Sequence, residues 1–593
     1  MATLRGIRGT WRIREGAGIG GESMLESFLL GRGIPEAEWS SFLKPQVSQL
    51  RPASELPGAR AAAKVILEAC EEGLGIELFG DYDVDGTCAI AILVHVLRLL
   101  RPGADIHGTI PHRMEGYGLS VEGIDAIHER RGGVPGLLVT VDCGVTAHAA
   151  LARASSLGWK CVVIDHHEVA REGLPIESTV AIVHWNIDGL ADEARSATPL
   201  CAGALAWKVA CCLVQVATGA SASPEGRRLL SDLLAFAAMA TVADVMPLVG
   251  ENRTLVYLGL RQLAVADLPA TKAIVRHGAG LVSGKSLDSM AVAFKIAPTL
   301  NAVGRLGHAQ EVADFLCMDG AREGALERAA ADIRRFQDFN EERKRVQRAT
   351  TTAALAMARE QVAQEQHEVR GGLCLFDAGW HPGVVGVVAG QVSERLARPT
   401  MVLGLDTGNG IYRGSARSQG LANLADVIDQ CRDTITSGGG HAAAGGVTVE
   451  AGRVDQFARE FRNACATAMR GSAGPEPKWL DGELHLADAP RAAVDDLYRA
   501  GHFGHGFAAP CFLCRDCTIA EIREQKGNSL GVFLTQPARG GAMPRPQRAV
   551  VWSADELAAH LRVGARVDLV MEVAPGNQHY VDATIRDVIA PGR

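Results

Sequence analysis

The stretch GIELFGDYDVDG, residues 75–86, decides the fold. Its first half is an apolar run, Ile76 to Phe79, and its second half alternates acids with other residues before a glycine. The apolar stretch AIAILVHVLRLL, residues 89–100, comes next and is long enough for a helix. A short buried strand that turns directly into a helix predicts the first unit of a parallel α/β sheet.

The same rhythm of strand and helix returns along the chain. GLLVTVDCG (136–144) leads into AHAALARASSLG (147–158), and KCVVIDHHE (160–168) follows directly. Strands that are apolar on both faces and alternate with helices predict a sheet covered by helices on both sides. The predicted fold class is therefore α/β, with a doubly wound parallel sheet.

Beyond residue 319 the composition changes. Residues 320–366 are rich in Ala, Arg, Glu and Gln and contain no Pro, which predicts one long solvated helix between two bodies. A second, smaller α/β unit and then a β-rich, barrel-like end follow. The predicted domains are an N-terminal segment (1–50), a catalytic α/β domain (51–319), the long helix (320–366), a second α/β domain (367–470) and a C-terminal barrel (478–593).

Length and composition exclude some classes of protein. With 593 residues the chain needs several cores, and 47% hydrophobic with 22% charged residues argues against a largely disordered protein. Each long apolar run is interrupted by a charge, so we expect no membrane association. The start, MATLRGIRGTWRIREG, lacks the apolar core of a secretion signal and is interpreted as an exposed basic strand, which favours a cytoplasmic protein. We also expect a monomer.

The net charge of −8 does not decide the substrate, because an acidic protein binds nucleic acid when its positive charge is local or supplied by metal. Most of the 14 cysteines lie in apolar segments, as expected of packing thiols in a reducing compartment. Only Cys511, Cys514 and Cys517 cluster, near His502 and His505. Strand thiols are favoured there over a metal site.

Acids and histidines follow three of the predicted strands. Asp81, Asp83 and Asp85 alternate after the first strand, so an extended chain would point all three the same way. Asp142 ends the second strand, and Asp165, His166 and His167 end the third; in a parallel sheet these ends share one edge.

Such a gathering of acids is repulsive unless cations bind it. A helix N-cap would explain one of these acids, but not three strand ends in succession. Carboxylates with one or two imidazoles suit Mn²⁺ or Mg²⁺, with nitrogen favouring Mn²⁺. Asp244, between apolar neighbours in TVADVMPL (241–248), needs a partner, and a cation at the same edge is the simplest one.

These motifs carry a resemblance to a known family. DYDVDG, VDCG, the DHH triplet and TVADVMPL, in that order, resemble the first four motifs of the DHH phosphoesterase superfamily. APTLNAVGR, GWHPGVVGVVAGQVSERLARPT, GSARS and GGGHAAAGG extend the resemblance to the bacterial RecJ branch of single-strand-specific exonucleases. The resemblance covers nearly the whole chain.

The resemblance implies a two-metal exonuclease that hydrolyses single-stranded DNA from the 5′ end and releases 5′-mononucleotides in DNA repair and recombination. Two cations about 3.5 to 4 Å apart would bind the scissile phosphate and activate a water. Motif by motif, the implied metal ligands are Asp83, Asp85, Asp142, His166 and Asp244. Asp81 and Asp165 are implied as supporting residues, and His167 as a catalytic residue that contacts the phosphate.

The second α/β unit looks like the DHH-associated domain of this family and is interpreted as holding substrate. Consecutive glycines before His441 allow backbone N–H groups to curl around an anion, although a flexible loop is an equally good reading. Arg413 and Arg417 bracket a phosphate-binding fork in RGSAR. The candidate phosphate-binding residues are Arg305, His381, Arg413, Ser415, Arg417, Gly439, Gly440 and His441.

The barrel-like end resembles an oligonucleotide-binding (OB) fold. Its basic loop residues Arg539, Arg545 and Arg548 are candidates for contact with the DNA backbone. Phe533 and Tyr580 are equally well explained as base-stacking or as core residues.

The chain departs from the family pattern at three places. Thr299 stands where relatives often have Arg, Ser437 where an aromatic is common, and Phe507 where Asn is usual. These changes bear on strand handling, since the metal-binding set has no gap.

Two alternatives to the exonuclease stay open: a phosphodiesterase of the same superfamily for short oligonucleotides or cyclic dinucleotides, and a non-catalytic nucleic-acid-binding scaffold. The implied partners are single-stranded DNA, a single-strand-binding protein and a RecQ-type helicase.

Overall fold

The structure is a computed structural model. It describes residues 3–15, 23–116, 118–169, 173–186, 199–219, 223–278, 287–364, 371–470, 476–525, 527–537, 546–552, 554–576 and 581–589. The chain forms two compact units, one of residues 50–475 and one that combines residues 1–49 with residues 476–593.

The strands are β1 (Thr3–Arg5), β2 (Thr10–Ile13), β3 (Ile76–Gly80), β4 (Ile106–Thr109), β5 (Leu137–Val141), β6 (Lys160–Ile164), β7 (Ala181–Val183), β8 (Leu373–Asp377), β9 (Thr400–Asp406), β10 (Ile411–Arg417), β11 (Ser437–Gly440), β12 (Ala444–Glu450), β13 (Lys478–Leu480), β14 (Cys511–Gln525), β15 (Ser529–Thr535), β16 (Gln547–Val551), β17 (Arg566–Pro575) and β18 (Val581–Ile589).

The α-helices are α1 (Met24–Gly31), α2 (Trp39–Leu43), α3 (Ala59–Glu71), α4 (Val84–Leu100), α5 (Val121–Arg130), α6 (His148–Ser156), α7 (Ala202–Thr218), α8 (Pro224–Ala243), α9 (Gly250–Leu263), α10 (Pro269–Ala273), α11 (Ser289–Ala291), α12 (Ala297–Leu306), α13 (Gln310–Leu316), α14 (Ala325–Ala363), α15 (Val385–Leu396), α16 (Leu424–Asp429), α17 (Val454–Met469) and α18 (Arg491–Leu497).

The first sheet of the larger unit has the strand order β4-β3-β5-β6-β7, and every pair is parallel. Strands β3 and β5 are buried along their whole length, because α3, α4 and α7 cover one face and α5 and α6 the other. The predicted doubly wound parallel sheet is therefore confirmed. In this order β4 lies on one side of β3, and β5, β6 and β7 lie on the other. The direction of the connections therefore reverses at β3, which opens a crevice at the carboxyl ends of β3 and β5.

The second sheet has the order β11-β12-β10-β9-β8, with one parallel pair, β8 and β9. Helix α14, 39 residues long, places Ile333 and Phe336 in the core of the first body and Ala354 and Ala358 in that of the second. The long helix predicted from composition is thus observed, with both ends slightly inside the predicted bounds.

The smaller unit contains a closed barrel with the order β14-β15-β16-β18-β17. The N-terminal segment packs with it. Strand β2 pairs with β1 and β13 in a three-stranded sheet, and Met24, Leu25 and Phe28 of α1 lie in the barrel core. The sequence analysis predicted residues 1–50 as a segment of their own. It did not indicate the packing on the barrel, because the contacting residues are far apart along the chain.

One side chain shows how firmly the segment is attached. Asp587 on β18 is fully buried and accepts hydrogen bonds from the backbone N–H groups of Ile7 and Arg8 (2.9 and 3.0 Å) and from Trp11 Nε1 (2.8 Å). These bonds join the first strands to the last one.

Among the described residues, no helix is both long enough and apolar enough to cross a membrane. All 14 cysteines are free thiols.

Candidate metal centre

The three acids after β3 do not lie in an extended chain, which corrects the geometric reason given for their convergence. Strand β3 ends at Gly80, and Asp83 is the N-cap of α4, its Oδ1 accepting from the backbone N–H groups of Asp85 and Gly86 at 2.9 and 3.3 Å. Asp85 lies in the first turn and is fully buried. Its carboxylate accepts hydrogen bonds from the N-terminal N–H groups of α7, at Ala202 (2.8 Å) and Gly203 (2.7 Å).

The ends of β5 and β6 supply the next ligand types. Asp142 directly follows β5 and is buried. Asp165 directly follows β6, and its carboxylate accepts hydrogen bonds from the backbone N–H groups of Val145, His166 and His167. Asp165 Oδ1 also lies 2.8 Å from His167 Nδ1. Asp165 therefore fixes the loop that presents the two histidines.

Four side chains converge on one point. His166 Nε2 lies 3.2 Å from Asp142 Oδ1, 3.6 Å from Asp85 Oδ2 and 3.6 Å from Asp244 Oδ2. Asp244 comes from the C-terminal end of α8. Asp81 and Asp83 share a second such grouping with Asp142. The sequence-predicted ligands thus form one cluster with ligand-atom spacings suited to metal binding.

Burial and mutual repulsion raise the pKa values of the carboxyl groups in this cluster. Burial, with the negative charge of Asp83, raises the pKa of Asp81 to about 8 and that of Asp85 to about 6. Burial, with the charge of Asp85, raises the pKa of Asp244 to about 9 and that of Asp142 well above its usual range. Carboxylates gathered in this way repel one another, and a bound cation reverses that repulsion.

His166 tests whether a metal ion fits. Burial, together with the positive charge of His167, lowers the pKa of His166 to about 3, so its imidazole is neutral at physiological pH. Its Nε2 is buried, has no hydrogen-bond partner among the described residues, and faces three carboxylates. A buried nitrogen lone pair among carboxylate oxygens is the donor set of a Mn²⁺ or Mg²⁺ site with one nitrogen ligand. The residues fit the group.

His167 differs from its neighbour. Burial alone would lower its pKa, but the hydrogen bond and charge of Asp165 raise it to about 9. The same interaction brings the pKa of Asp165 to about 2, against the effect of burial. His167 is therefore a cation at neutral pH, held at the edge of the acidic cluster.

The backbone is strained at the centre. Asp142 has φ of 61°, and Val245, directly after Asp244, has φ of 56°. A β-branched residue in this left-handed region is uncommon and costs energy, and such strain concentrates at functional sites. The turn at Asp142 and the turn directly after Asp244 therefore each contain a residue in the left-handed region.

Sequence reasoning missed residues that brace the centre from a distance. Trp185 Nε1 donates to the carbonyl oxygen of His166 (3.0 Å), and His184 Nε2 lies 2.9 Å from that of His167. Asn301 Oδ1 accepts from the backbone N–H of Val84 (3.0 Å), which holds the start of α4. Asn301 lies within the motif APTLNAVGR, so the sequence offered a signal for its contact with Val84. No local pattern indicated the contacts of Trp185 and His184.

Position 203 has no room for a side chain larger than that of glycine. A Cβ atom there would lie 2.5 Å from Ala240 Cβ and 3.1 Å from Asp85 Oδ1. We expect Gly203→Ala to shift Asp85 and to weaken Mn²⁺ binding by about 10- to 100-fold, the usual effect of disturbing an outer partner. Calorimetric titration with Mn²⁺ measures this. Gly452→Ala, at a site open to solvent, is the control; equal Mn²⁺ affinity in the two variants would contradict the role given to Gly203.

The candidate phosphate residues Arg305 and His381 line one cavity of about 310 Å³. Arg305 Nη1 donates to the Gly383 carbonyl oxygen (3.1 Å), and burial followed by the charge of Arg113 lowers the pKa of Arg305 to about 10. Arg113, which the sequence reasoning missed, lies in the same cavity with its guanidinium 3.8 Å from the centre of the Tyr82 ring. The cavity is therefore positively lined.

The fork predicted in RGSAR is directed partly inward. Arg413 Nη2 donates to the carbonyl oxygen of Met114 (2.5 Å), and its Nε lies 3.5 Å from Asp406. Arg417 Nη1 donates to Ser415 Oγ (2.9 Å). Arg413 thus ties the second sheet to the loop that carries Arg113.

The glycine run is an edge strand and not the loop expected from sequence. Gly438, Gly439 and Gly440 pair with β12, and a Cβ atom at Gly440 would lie 2.5 Å from the backbone of Gly445. The close approach of two glycine-rich strands explains the composition. His441 Nδ1, in the hairpin turn, lies 3.2 Å from Glu168 Oε2, close to the histidine loop.

The three departures have different surroundings. Thr299 is buried, and its Oγ1 bonds to Lys295 and Asn340. Phe507 is buried against Phe28 and Phe503, so it serves the barrel core. Ser437 begins the edge strand β11 and is exposed.

Of the candidate DNA contacts on the barrel, Arg548 lies on β16, while Arg539, Arg545 and Tyr580 lie outside the described residues. Phe533 is half-buried beneath Arg523, whose guanidinium is 4.7 Å from the ring centre. Within the described part of the chain, the groupings that could hold a metal ion all belong to the acidic cluster, and none contains the clustered cysteines Cys511, Cys514 and Cys517.

Three family models match the chain. They are the DHH family N-terminal domain over residues 75–241, the DHHA1 domain over 369–467 and the RecJ OB domain over 480–577.

Named relatives match over most of the chain. The chain is 30% identical to the single-stranded-DNA-specific exonuclease RecJ of Salmonella typhimurium, over 82% of each protein. It is 28% identical to that of Bacillus subtilis, over 93% of this chain, and spans 65% of that relative's length. A crystal structure of exonuclease RecJ bound to manganese matches with a TM-score of 0.57 and 29% identity, over 69% of this chain and 95% of the other.

The domain matches and relatives agree with the motifs and with the geometry of the cluster, and they confirm the family predicted from the sequence. The chain belongs to the RecJ family of DHH proteins.

Proposed function

We propose that this protein is a metal-dependent exonuclease that hydrolyses the phosphodiester bonds of single-stranded DNA in the 5′→3′ direction, releases 5′-mononucleotides, and acts in DNA repair and recombination. The observation that carries the proposal is the convergence of Asp85, Asp142 and Asp244 on the unpartnered Nε2 of His166. The relatives named as single-stranded-DNA-specific exonucleases support the choice of substrate.

The cofactor in this proposal is a pair of Mn²⁺ or Mg²⁺ ions, with Mn²⁺ favoured because a histidine nitrogen joins the oxygen donors. When bound, such ions neutralise a phosphodiester, lower the pKa of an attacking water and stabilise the departing oxygen. The residues that would hold them are Asp83, Asp85, Asp142, His166 and Asp244.

The chain's own groups prepare the reaction. Asp165 holds His167 as a cation by accepting a hydrogen bond from its Nδ1–H, so His167 is suited to bind a phosphate oxygen. Asp81 lies with Asp83 and Asp142 and shapes the second grouping of acids. Asp85 and Asp142 are buried, so little water reaches their carboxylates.

Substrate holding is assigned to the residues around the positively lined cavity and the second sheet. Arg305 and His381 would bind phosphate from the cavity. Ser415, Arg417 and the turn after Gly439 and Gly440 would do so from the second sheet, with Arg413 and His441 bridging to the first body. A slot closed by two bodies around one strand excludes a duplex by size, without reading bases.

In this proposal each predicted domain has its own role. Residues 51–319 would carry catalysis, 320–366 the connection, 367–470 substrate holding and 478–593 nucleic-acid binding through Arg548 and its neighbouring loop. The free thiols favour a reducing compartment, in line with a cytoplasmic bacterial enzyme. A monomer that cooperates with a single-strand-binding protein and a RecQ-type helicase completes the proposal.

Digestion of end-labelled single strands in Mn²⁺, Mg²⁺ or EDTA tests the proposal. A 5′ label should appear at once in mononucleotides, whereas a 3′ label should pass through progressively shorter strands, and EDTA should stop both reactions. A duplex with blunt ends serves as the control and should resist digestion. Cleavage in EDTA, or a 3′ label released first, would contradict the proposed metal chemistry or polarity.

A further inference from the structure

The three-stranded sheet β1-β2-β13 has one buried and one open face. Leu4, Trp11, Ile13 and Leu480 point into a core shared with the barrel. In the register, Thr3 lies opposite Arg12, Arg5 opposite Thr10, and Trp479 opposite Arg12. Because paired residues share a face, the other side of the sheet displays the set that we name the N-terminal basic face: Arg5, Thr10, Arg12, Arg14 and Trp479.

The face is rigidly mounted. Trp11, beneath it, is 6% exposed and donates its indole N–H to Asp587 on β18. The backbone N–H of Arg14 donates to the Leu480 carbonyl oxygen (3.0 Å), which continues the pairing of β2 with β13. The basic residues are thus presented by a sheet and not by a loose tail.

Most of the positive charge on this face has no counter-charge among the described residues. Among the residues that the structure describes, neither Arg5 nor Arg12 has a carboxylate partner, and Arg12 Nε donates only to Thr3 Oγ1 (3.2 Å). Arg14 Nε lies 3.5 Å from Asp481, but that carboxylate is buried and already forms a two-bond pair with Arg32 at 2.8 Å. In a chain with a net charge of −8, three arginines on one small sheet are a local concentration of positive charge.

Trp479 adds a flat apolar surface. Its side chain is 43% exposed, and the guanidinium of Arg14 lies 5.4 Å from its ring centre. An indole left open to water beside guanidinium groups is the combination on which a nucleic-acid base stacks while the arginines contact phosphates. A duplex hides its base faces, so the indole favours a single strand. An acidic peptide would use the arginines but has no need of the ring.

We infer that the N-terminal basic face binds single-stranded DNA, with Trp479 stacking on a base and Arg5 and Arg12 contacting backbone phosphates. This surface shares no residue with the metal centre and does not include the barrel residue Arg548. The inference rests on the proposed function for its choice of DNA as the ligand.

The test measures binding by the full chain in EDTA, with a fluorescent oligothymidylate of about 30 nucleotides, roughly twice the largest site of one OB barrel. The double variant Arg5→Gln/Arg12→Gln should bind about 5- to 20-fold more weakly. In a plot of log affinity against log salt concentration, the slope for this variant should be less negative by about 1.4. Each phosphate contact to a single strand contributes about −0.7, and the variant loses two such contacts. Trp479→Ala should lower the affinity for the oligothymidylate by about 5-fold or more. Trp479→Phe should retain most of the wild-type affinity, since a phenyl ring still stacks on a base.

Arg453→Gln/Arg562→Gln is the matched control, because both arginines are exposed and lie outside the face. An Arg5→Gln/Arg12→Gln variant with wild-type affinity and slope would overturn the inference, as would an equal loss in the control. A change of oligomeric state on sedimentation, without a change in DNA binding, would instead identify the face as a contact between copies of the chain and would also overturn it.

The same experiment separates this inference from the proposed function. Hydrolysis of a dinucleotide in Mn²⁺ should be unchanged in all these variants, because the reaction needs only the metal centre. A wild-type chain that binds the strand through this face but hydrolyses nothing would refute the exonuclease and leave the face standing.

Discussion

Asp142→Asn is expected to reduce Mn²⁺-dependent digestion of single-stranded DNA by at least about 100-fold, more than the loss of an outer partner alone. Asp142 belongs to two of the three groupings of potential ligands, so its carboxylate would contribute to holding both proposed cations. Asparagine keeps the shape and tolerates the left-handed backbone at φ of 61°, whereas alanine would add strain there. The variant therefore removes a charge without disturbing the fold.

Thermal unfolding separates loss of metal from loss of structure. Without metal the variant should be at least as stable as the wild type, because one of several repelling buried carboxylates is gone. With Mn²⁺ at about 100 times its Kd, the wild type should gain about 2.7 kcal/mol in free energy of unfolding, and the variant much less. Asp125→Asn, at an exposed ion pair with Arg153, is the control. A variant with wild-type turnover in Mn²⁺ would remove Asp142 from the centre.

Asp587→Ala is expected to destabilise the smaller unit by about 3 kcal/mol or more. The substitution leaves the backbone donors of Ile7 and Arg8 and the Trp11 indole without a partner in a buried site, at about 1 to 3 kcal/mol each. A lower unfolding temperature for one calorimetric transition, with early proteolysis of the first residues, would report the loss. Dinucleotide hydrolysis should persist, since the metal centre belongs to the other unit.

The control for this second experiment is Asp582→Ala, an exposed acid on the same strand. If both variants melted like the wild type, the attachment of the N-terminal strands would not depend on Asp587. The N-terminal basic face would then need another anchor.

The sequence was sufficient for the parallel sheet and for the location of the ligands, because both depend on short local patterns. A fully apolar strand such as Cys161–Ile164 is stable only where both its faces are buried, and residues after parallel strands meet at one edge of the sheet. This is why the sequence alone predicts that Asp142 and His166 lie together, as the structure shows.

Local patterns were insufficient where the cause lies far along the chain. The alternation of Asp81, Asp83 and Asp85 suggested an extended segment. Instead, Asp83 caps α4 and Asp85 lies in the first turn of that helix. The glycine run before His441 became a strand because another glycine-rich strand packs against it. No spacing in the sequence signals that Trp11 bonds to Asp587 or that Trp185 braces His166, since those partners meet only in the fold.

The most direct test of the account is a crystal of the protein grown with Mn²⁺ and measured at the manganese absorption edge. The account predicts two anomalous peaks, both within coordination distance of Asp142 oxygens, with His166 Nε2 and Asp244 binding one of them. Ions bound elsewhere, with Asp85, Asp142, His166 and Asp244 free of manganese in a crystal that still digests single strands, would contradict it.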